Sequence, residues 1–272
     1  MSQSRSFEFM DDRAYMIPVT LTDPERLLRK PIERYESNTR YCMTYLTDRD
    51  ALARLLPPGF SPTERPTVQV NYTICRNIDY MAGRDYSLVG VDALARFDGE
   101  VDHLEGYYGL VLWMDKYLPM VMGREIMGAA KILSEVPPMR SFEGRKCFSM
   151  SEEGSLLIDG EFWDLKELAR AEIAARLAAG GDRQWLGWKY IPNVTSDGAD
   201  ISCATYLPVK RDVKRMWSAH GKLAFHETPW EHAPLSGPIV NKLIRMPILE
   251  YLDAWVQEDS CDYLFREDRV LR

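Results

Sequence analysis

The sequence predicts a mainly β protein with a few flanking helices (α+β). Several runs alternate between apolar and polar positions or are rich in β-branched and aromatic side chains, as strands are. Asp-Gly and Glu-Gly pairs, which favour tight turns, separate many of these runs. Many strands with close turns indicate an antiparallel sheet, rolled into a barrel or stacked as a sandwich. The predicted strands are residues 67–75, 86–97, 106–114, 145–150, 155–158, 185–194, 201–207 and 222–227.

Three helices are predicted among these strands. Residues 47–56 form a short helix with Thr47 or Asp48 as its N-cap. Residues 164–179 have an amphipathic pattern that ends at Gly180-Gly181, a typical helix C-terminus. Residues 238–256 form the third predicted helix, with a break at Pro247.

The chain is predicted to contain one folded domain. Residues 1–37 carry many charges and little periodicity, so they predict an extended N-terminal arm. No linker rich in glycine, serine or proline divides residues 38–272, and no internal repeat is present. We therefore expect residues 38–272 to form a single domain.

The composition excludes several classes of function. A hydrophobic content of 46 % and a charged content of 28 % are typical of a globular protein with an ample core. The net charge of −7 argues against nucleic-acid partners and anionic membranes, which need a basic surface. Five widely spaced cysteines form no Cys-x-x-Cys pair, so no disulfide framework or zinc site is expected. No Gly-rich phosphate loop, secretory signal or membrane-length apolar run occurs, so we expect no nucleotide cofactor and a cytoplasmic location.

Lys131 is the candidate reactive residue. It lies in an apolar run with Ile126, Met127 and Ile132. Desolvation disfavours the charged form of a lysine and leaves a neutral amine. A neutral amine attacks ketones and aldehydes and forms a Schiff base. The alternative is that Lys131 faces solvent on an amphipathic element, with its ammonium in water.

The surroundings of Lys131 resemble a known family. Gly123-Arg124-Glu125 precedes Lys131 by a short fixed offset and follows an aromatic, apolar strand that ends at Asp115. This arrangement resembles the acetoacetate decarboxylase family, whose Schiff-base lysine has the same offset. The resemblance covers residues 38–256 and implies a double-layered, cone-like antiparallel β-barrel, a lysine facing the cavity, and a homo-oligomer. Other segments that resemble the family in the same order are Pro57-Pro58-Gly59-Phe60, Phe97-Asp98-Gly99, residues 188–193, Asp197-Gly198 and residues 217–235.

The resemblance also identifies where this chain differs from the family. The decarboxylases carry a second lysine after the reactive one, whereas this chain has Ile132, so burial must supply any lowering of the lysine pKa. The place of the family's arginine falls on Asn38. Arg40, two residues on, lies on the same strand face and is expected to bind the substrate carboxylate. The places of two family glutamates fall on Asn71 and Leu88.

Four further residues are candidates for supporting roles. Glu105 or Tyr107 could relay protons, because both lie at the start of the strand that leads to the lysine segment. Arg124 and Glu125 either pair with each other or with neighbours to position that segment, or contact the substrate. No metal or other cofactor is needed for this chemistry.

In a decarboxylase, loss of carbon dioxide from the Schiff base leaves an enamine that is then protonated. Because this chain lacks both glutamates, we expect its enamine to react in another way. Some superfamily relatives keep the lysine, lack these glutamates, bind pyruvate-like acids and catalyse aldol addition with dehydration. The sequence therefore predicts a lyase that forms a Schiff base with a 2-oxo or 3-oxo acid, as an aldolase-dehydratase or hydratase-aldolase that also takes an aldehyde. One alternative is an acetoacetate (β-keto acid) decarboxylase with carboxylates supplied by Glu105 or Asp92. The other is a non-catalytic small-molecule-binding barrel.

Overall fold

The structure is a computed structural model that describes residues 7–11, 14–22, 32–180 and 183–272. Its centre is one large sheet of fourteen strands. The strands are β1 (Glu33–Leu46), β2 (Phe60–Pro62), β3 (Thr67–Ile78), β4 (Arg84–Asp98), β5 (His103–Met114), β6 (Lys131–Leu133), β7 (Arg140–Phe142), β8 (Arg145–Glu152), β9 (Ser155–Glu167), β10 (Trp185–Pro192), β11 (Ala199–Leu207), β12 (Val209–Phe225), β13 (Glu250–Tyr263) and β14 (Arg269–Val270).

The strands pair in the order β14-β11-β10-β5-β4-β3-β1-β13-β12-β9-β8-β7, with β2 beside β4 and β6 beside β5. Most neighbours are antiparallel, but β5 pairs in parallel with both β6 and β10. Each parallel partner follows a crossover connection, which two strands running in one direction require. The mainly β fold class is confirmed. The sheet is mixed and open rather than a closed antiparallel barrel, because its path ends at the short strands β14 and β7.

Four helices accompany the sheet in the described part of the chain, namely α1 (Arg49–Ala53), α2 (Tyr117–Met122), α3 (Arg170–Gly180) and α4 (Ser236–Ile244). The cap of α1 is the predicted Asp48, whose carboxylate accepts a hydrogen bond of 2.7 Å from the Ala51 amide. A π-helical turn, Gly123–Met127, continues α2 and was not predicted. Among the residues described, no helix is both long and apolar enough to cross a bilayer.

Two predicted helix boundaries are wrong. The helix predicted for residues 238–256 ends at Ile244, and β13 begins at Glu250 between β1 and β12. Pro247 separates the two elements, because proline cannot continue a helix. The helix predicted for residues 164–179 begins only at Arg170, because pairing with β12 extends β9 to Glu167.

The N-terminal arm falls partly outside the described residues. Residues 1–6, 12–13 and 23–31 are not described, and Gly181 of the predicted helix C-terminus also lies outside. Strand β1 begins at Glu33, four residues before the predicted end of the arm.

The main hydrophobic core lies between the sheet and α4. Trp113 is fully buried there, and its indole Nε1 donates a hydrogen bond of 2.9 Å to the Ser236 hydroxyl at the start of α4. A second apolar cluster includes Cys75, Leu88 and Leu112, from β3, β4 and β5. This second cluster lies beside the strand that carries Lys131, and it therefore fixes the surroundings of the candidate site.

Candidate active site

Lys131 begins β6 and is buried, with 8 % of its surface exposed. Its Nζ donates a hydrogen bond of 3.0 Å to the carbonyl oxygen of Pro119 in α2. The side chain passes directly over Gly123, where a Cβ atom would lie 2.8 Å from Nζ. Glycine at the start of the Gly-Arg-Glu segment is therefore required by the close approach of the lysine.

Burial lowers the pKa of Lys131 to about 8. Desolvation is the largest cause, and the Cys75 thiol opposes it. About a tenth of the amine is then neutral at pH 7. The structure thus excludes a solvent-facing ammonium and agrees with the expectation that burial, rather than a second lysine, lowers the pKa.

The Gly-Arg-Glu segment positions the lysine. Nη1 of Arg124 donates a hydrogen bond of 3.0 Å to the Lys131 carbonyl, which ties the π-helical turn to β6. Arg124 is exposed and Glu125 is half-buried, and neither lines the cavities described below. For Arg124 the structure shows the positioning contact, and a direct contact of Arg124 or Glu125 with the substrate stays a prediction.

The far end of the turn is held by the neighbouring strands. The Thr205 hydroxyl in β11 donates to the Met127 carbonyl at 2.9 Å, and the Lys189 ammonium in β10 donates to the Ile126 carbonyl at 3.2 Å. Gly128 has a φ of +73°, and a Cβ atom there would lie 2.6 Å from the Lys189 backbone nitrogen. Strands that come much later in the chain therefore fix the lysine segment.

The strand register brings Arg40, Asn71, Leu88 and Lys131 onto one face of the sheet. Arg40 lies opposite Thr73, which lies opposite Leu88. Asn71 lies opposite Gly90 on the next strand. Gly90 in turn lies opposite Leu112, and Leu112 lies opposite Lys131. Because directly opposite residues share a face, all four predicted side chains are on the same side.

A small cavity on this face, which we call the inner cavity, has a volume of about 20 Å³. Its lining includes Arg40, Asn71, Leu88, Cys75 and Trp185. This volume is sufficient for about one water-sized group. Lys131 itself is not among the residues that line this cavity, and it lies three strands from Asn71 on the same sheet face.

Arg40 is placed to bind an anion. It is buried, and its Nε atom has no hydrogen-bond partner among the described residues. The guanidinium lies over the Trp185 ring at 5.9 Å from the centroid. A buried guanidinium with an unused donor is well suited to a carboxylate, as expected for the substrate clamp.

Asp92 is the buried carboxyl group of the site. Its Oδ2 accepts a hydrogen bond of 3.0 Å from Asn71 Nδ2, and its Oδ1 has no partner in the described part of the chain. Burial raises the pKa of Asp92 to about 7, although the charge of Arg40 and a hydrogen bond from Gln69 oppose the rise. The sequence signal for this residue was a single aspartate inside an apolar strand.

A second buried acid, Asp259 in β13, was missed by the sequence analysis. It accepts hydrogen bonds from Asn38 at 2.8 Å and from Gln257 at 2.6 Å, and Arg211 lies 3.7 Å away. The sequence signal was the pair Gln257 and Asp259, two residues apart after the apolar run Ala254-Trp255-Val256. It was missed because the start of this segment was predicted as a helix.

The structure does not bring Glu105 and Tyr107 to the lysine. Glu105 is half-exposed and forms an ion pair of 2.7 Å with Arg183. Along β5 it lies seven residues from Leu112, the partner of Lys131, or about 20 Å. Tyr107 is about 15 Å away by the same measure. The structure therefore places neither residue beside Lys131, because an extended strand carries its two ends far apart, and a proton-relay role for either stays a prediction.

Glu105 and Tyr107 instead line a much larger cavity of about 1000 Å³, which we call the outer cavity. The two cavities share Arg40, Trp185 and Arg211, so these side chains separate them. In the described residues, no group of three or more His, Cys, Asp or Glu side chains could hold a metal ion.

A sequence model for the family described as "Acetoacetate decarboxylase (ADC)" matches residues 15–261. The chain belongs to the acetoacetate decarboxylase family. The acetoacetate decarboxylase of Chromobacterium violaceum is 27 % identical over 222 residues, which cover 81 % of each chain. That of Burkholderia ambifaria strain MC40-6 is 27 % identical over 214 residues, 78 % of each chain. The family and these names indicate a lyase-type enzyme.

Solved structures of the acetoacetate decarboxylase family share this fold. The decarboxylase from Legionella pneumophila has a TM-score of 0.72 and 18 % identity, with 99 % of this chain and 93 % of that chain covered. The enduracididine biosynthesis enzyme MppR complexed with pyruvate has a TM-score of 0.66 and 15 % identity, with 89 % and 90 % covered. At such identities these similarities concern the fold alone.

Proposed function

We propose that the protein is a carbon–carbon lyase that forms a Schiff base between Lys131 and a 2-oxo or 3-oxo acid. The observation that carries this proposal is the buried amine of Lys131, which has a lowered pKa and rests on a backbone carbonyl. A lysine held in this way is available as a nucleophile once it turns from the Pro119 carbonyl, and the inner cavity, which holds only about one water-sized group, must widen to admit the acid. Arg40, on the same sheet face, binds the substrate carboxylate.

The steps follow from these groups. The neutral amine adds to the keto carbon, and loss of water gives a protonated imine. Loss of a proton from the neighbouring carbon gives an enamine. The enamine carbon attacks an aldehyde carbonyl, whose oxygen takes up a proton, and loss of water leaves a conjugated imine on Lys131. Addition of water to this imine then releases the unsaturated oxo acid and returns the amine.

The residues at the two glutamate places of the family favour aldol addition with dehydration over decarboxylation. Asn71 and Leu88 are neutral, so neither of these places offers a carboxylate to assist loss of carbon dioxide. A structure of MppR, with a TM-score of 0.65, is described as complexed with the condensation product of pyruvate and imidazole 4-carboxaldehyde. We therefore propose a pyruvate-type acid as the donor and an aldehyde as the acceptor.

One observation favours the alternative of an acetoacetate decarboxylase. Asp92 is hydrogen-bonded to Asn71, its Oδ1 has no partner in the described segments, and burial raises its pKa to about 7. A carboxyl group of this kind could supply the proton that the enamine takes up after carbon dioxide leaves. The curated relatives named above as acetoacetate decarboxylases support the same alternative. The second alternative, a non-catalytic binding barrel, would use Lys131 only as a cation or reversible carbonyl trap.

The first test is covalent trapping. The protein is incubated with pyruvate or acetoacetate and then reduced with borohydride, and the peptide containing Lys131 should gain the mass of the reduced acid. Lys131→Ala should abolish trapping, whereas Lys214→Ala, an exposed lysine, should leave it intact. An unmodified wild-type protein would argue against both enzymatic proposals.

The second test separates the two reactions. Acetoacetate alone, and pyruvate with an aromatic aldehyde, are supplied in parallel while carbon dioxide release and the absorbance of a conjugated product are followed. We expect the conjugated product, and slower decarboxylation by about 10²- to 10⁴-fold, the usual value of general acid–base assistance. Rapid carbon dioxide release without an aldol product would establish the decarboxylase alternative.

Homo-oligomerisation and a cytoplasmic location remain predictions. The first, implied by the family resemblance, is measured by light scattering of the full chain. We propose a keto acid and an aldehyde as the small-molecule partners, with no nucleic acid or membrane.

A further inference from the structure

The outer cavity has no role in the reaction proposed above. Its volume of about 1000 Å³ is at the upper end of small-molecule sites, which span roughly 300–1,000 Å³. A three- or four-carbon oxo acid would fill only a small part of it. The cavity also adjoins Arg40, the proposed carboxylate clamp, so a ligand bound there could extend away from the reacting end.

The charges of the outer cavity differ in sign from those of the whole protein. Five arginines and three acidic side chains line it, although the chain carries a net charge of −7. Three of the arginines have carboxylate partners. Arg183 pairs with Glu105, Arg176 pairs with Asp253, and Arg211 lies 3.7 Å from Asp259.

The two other arginines are Arg40 and Arg65. Neither has a carboxylate within 4.0 Å among the described residues. Arg40 is buried at the wall shared with the inner cavity, whereas Arg65 is exposed at the rim. These two cations are therefore available to a ligand with two anionic groups.

The distance between the two arginines sets the size of such a ligand. Arg40 lies opposite Thr73, and Arg65 precedes the start of β3 at Thr67 by two residues. The six residue steps from Thr67 to Thr73 span about 20 Å, and Arg65 lies in the bend just before Thr67. Because both arginine side chains are long, a ligand on the order of 10 Å in length would join the two guanidinium groups.

The walls between the two arginines suit a long, partly apolar body. Trp255 presents its ring with Arg176 stacked on it at 5.6 Å, and Leu94 and Met216 line the same space. Gln69 adds a polar group. A flat or aliphatic chain could pack against these surfaces while its ends reach the two cations.

From this geometry we propose that the outer cavity binds the body of an extended dianionic substrate. Its oxo-acid end lies at Arg40 and its second anionic group lies at Arg65. The identity of Lys131 as the reacting group rests on the proposed function, but the binding site does not. The substrate class is thus a long oxo acid with acidic groups at both ends.

Isothermal titration calorimetry tests the binding site with ligands that cannot form a Schiff base. Decanedioate and decanoate, which differ in one terminal carboxylate, are titrated into wild-type protein at low salt. We expect decanedioate to bind about tenfold more tightly, because a charge-assisted hydrogen bond is added. Rising salt should reduce this advantage, because Arg65 is exposed and screened.

The matched variants are Arg65→Met and Arg245→Met, both exposed arginines. Arg65→Met should reduce the preference for decanedioate to about equal affinity, since only one acidic end is then recognised. Arg245→Met, outside the cavity, should keep the preference. Equal wild-type affinities for the two acids, no binding of decanedioate, or an unchanged preference in Arg65→Met would overturn the proposal.

The outcome is separable from that of the proposed function. Borohydride trapping of pyruvate reports only on Lys131, whereas calorimetry with non-oxo acids reports only on the outer cavity. Trapping without a preference for decanedioate would keep the Schiff-base lyase and remove the dianionic substrate. A preference for decanedioate without trapping would keep the dianion-binding site and remove the Schiff-base lyase.

Discussion

Asp92→Asn is expected to stabilise the protein at pH 8 but not at pH 4. Burial raises the pKa of Asp92 to about 7 in the folded protein, whereas an unfolded aspartate titrates near 3.9. Between these values the folded carboxyl group keeps a proton that the unfolded chain has lost. The folded state then binds more protons, so the free energy of unfolding falls as the pH rises through this window. It is constant below about pH 4 and above about pH 7.

The magnitude follows from the width of the window. Three pH units at 1.36 kcal/mol each give a cost of about 4 kcal/mol for the ionised, buried carboxylate at pH 8. Asparagine has nearly the same shape and carries no charge at any pH. It can accept the hydrogen bond that Asn71 now donates to Asp92. The variant should therefore match the wild type at pH 4 and exceed it by up to about 4 kcal/mol at pH 8.

Urea unfolding, followed by tryptophan fluorescence at pH 5, 6, 7 and 8, measures this difference. Asp212→Asn is the control, because Asp212 is exposed and pairs with Lys214 on the surface. The difference between Asp92→Asn and wild type should widen with pH, whereas that of the control should not. A constant difference would mean that Asp92 is ionised throughout and that the charge of Arg40 outweighs burial.

The remaining predictions concern the lysine and its surroundings. Lys131→Met should raise the free energy of unfolding by about 3 kcal/mol at pH 7, because the lowered pKa shows that the buried ammonium is destabilising below pH 8. Urea unfolding should show this gain becoming smaller as the pH rises toward 10. The rate of trapping by wild-type protein should rise about tenfold between pH 7 and 9 as the amine loses its proton, and a flat profile would contradict the lowered pKa. Gly123→Ala should slow trapping, because the added Cβ would displace the lysine, whereas Gly180→Ala, with open space around it, should not. Arg40→Met should weaken the binding of acid substrates by about 2–5 kcal/mol and of neutral aldehydes far less; equal effects in steady-state assays would give Arg40 another role.

Much of the site could be predicted because a strand has a simple period. The family resemblance pointed to Asn71 and Leu88, and alternation placed Arg40 on the face of Asn38. The strand register brings Arg40, Asn71 and Leu88 onto one face with Lys131. The burial of Lys131 followed from its apolar neighbours. The face of a strand residue and the burial of a side chain depend on a few neighbours in sequence, so both can be predicted from the local sequence.

Other features depend on contacts between distant parts of the chain. Asp259 joins the site only because β13 inserts between β1 and β12, more than two hundred residues after β1. Glu105 and Tyr107 were misplaced for the opposite reason. They are close to the lysine segment in sequence, but the length of β5 separates them from it. Nearness in sequence thus says little about nearness in space when a long strand lies between two segments.

The position of Asp92, one of the buried carboxyl groups, links the stability prediction to the choice of reaction. The family's two glutamate places hold Asn71 and Leu88, yet Asp92 contacts Asn71, and its Oδ1 has no hydrogen-bond partner among the residues that the structure describes. If unfolding shows that Asp92 is protonated at neutral pH, the site holds a neutral acid, which can donate a proton to an enamine but cannot act as an anion beside a departing carboxylate. If Asp92 is ionised, its charge offsets that of Arg40 and weakens the binding of an anionic substrate. The pH dependence of one aspartate therefore decides which carboxylate chemistry this site can still perform.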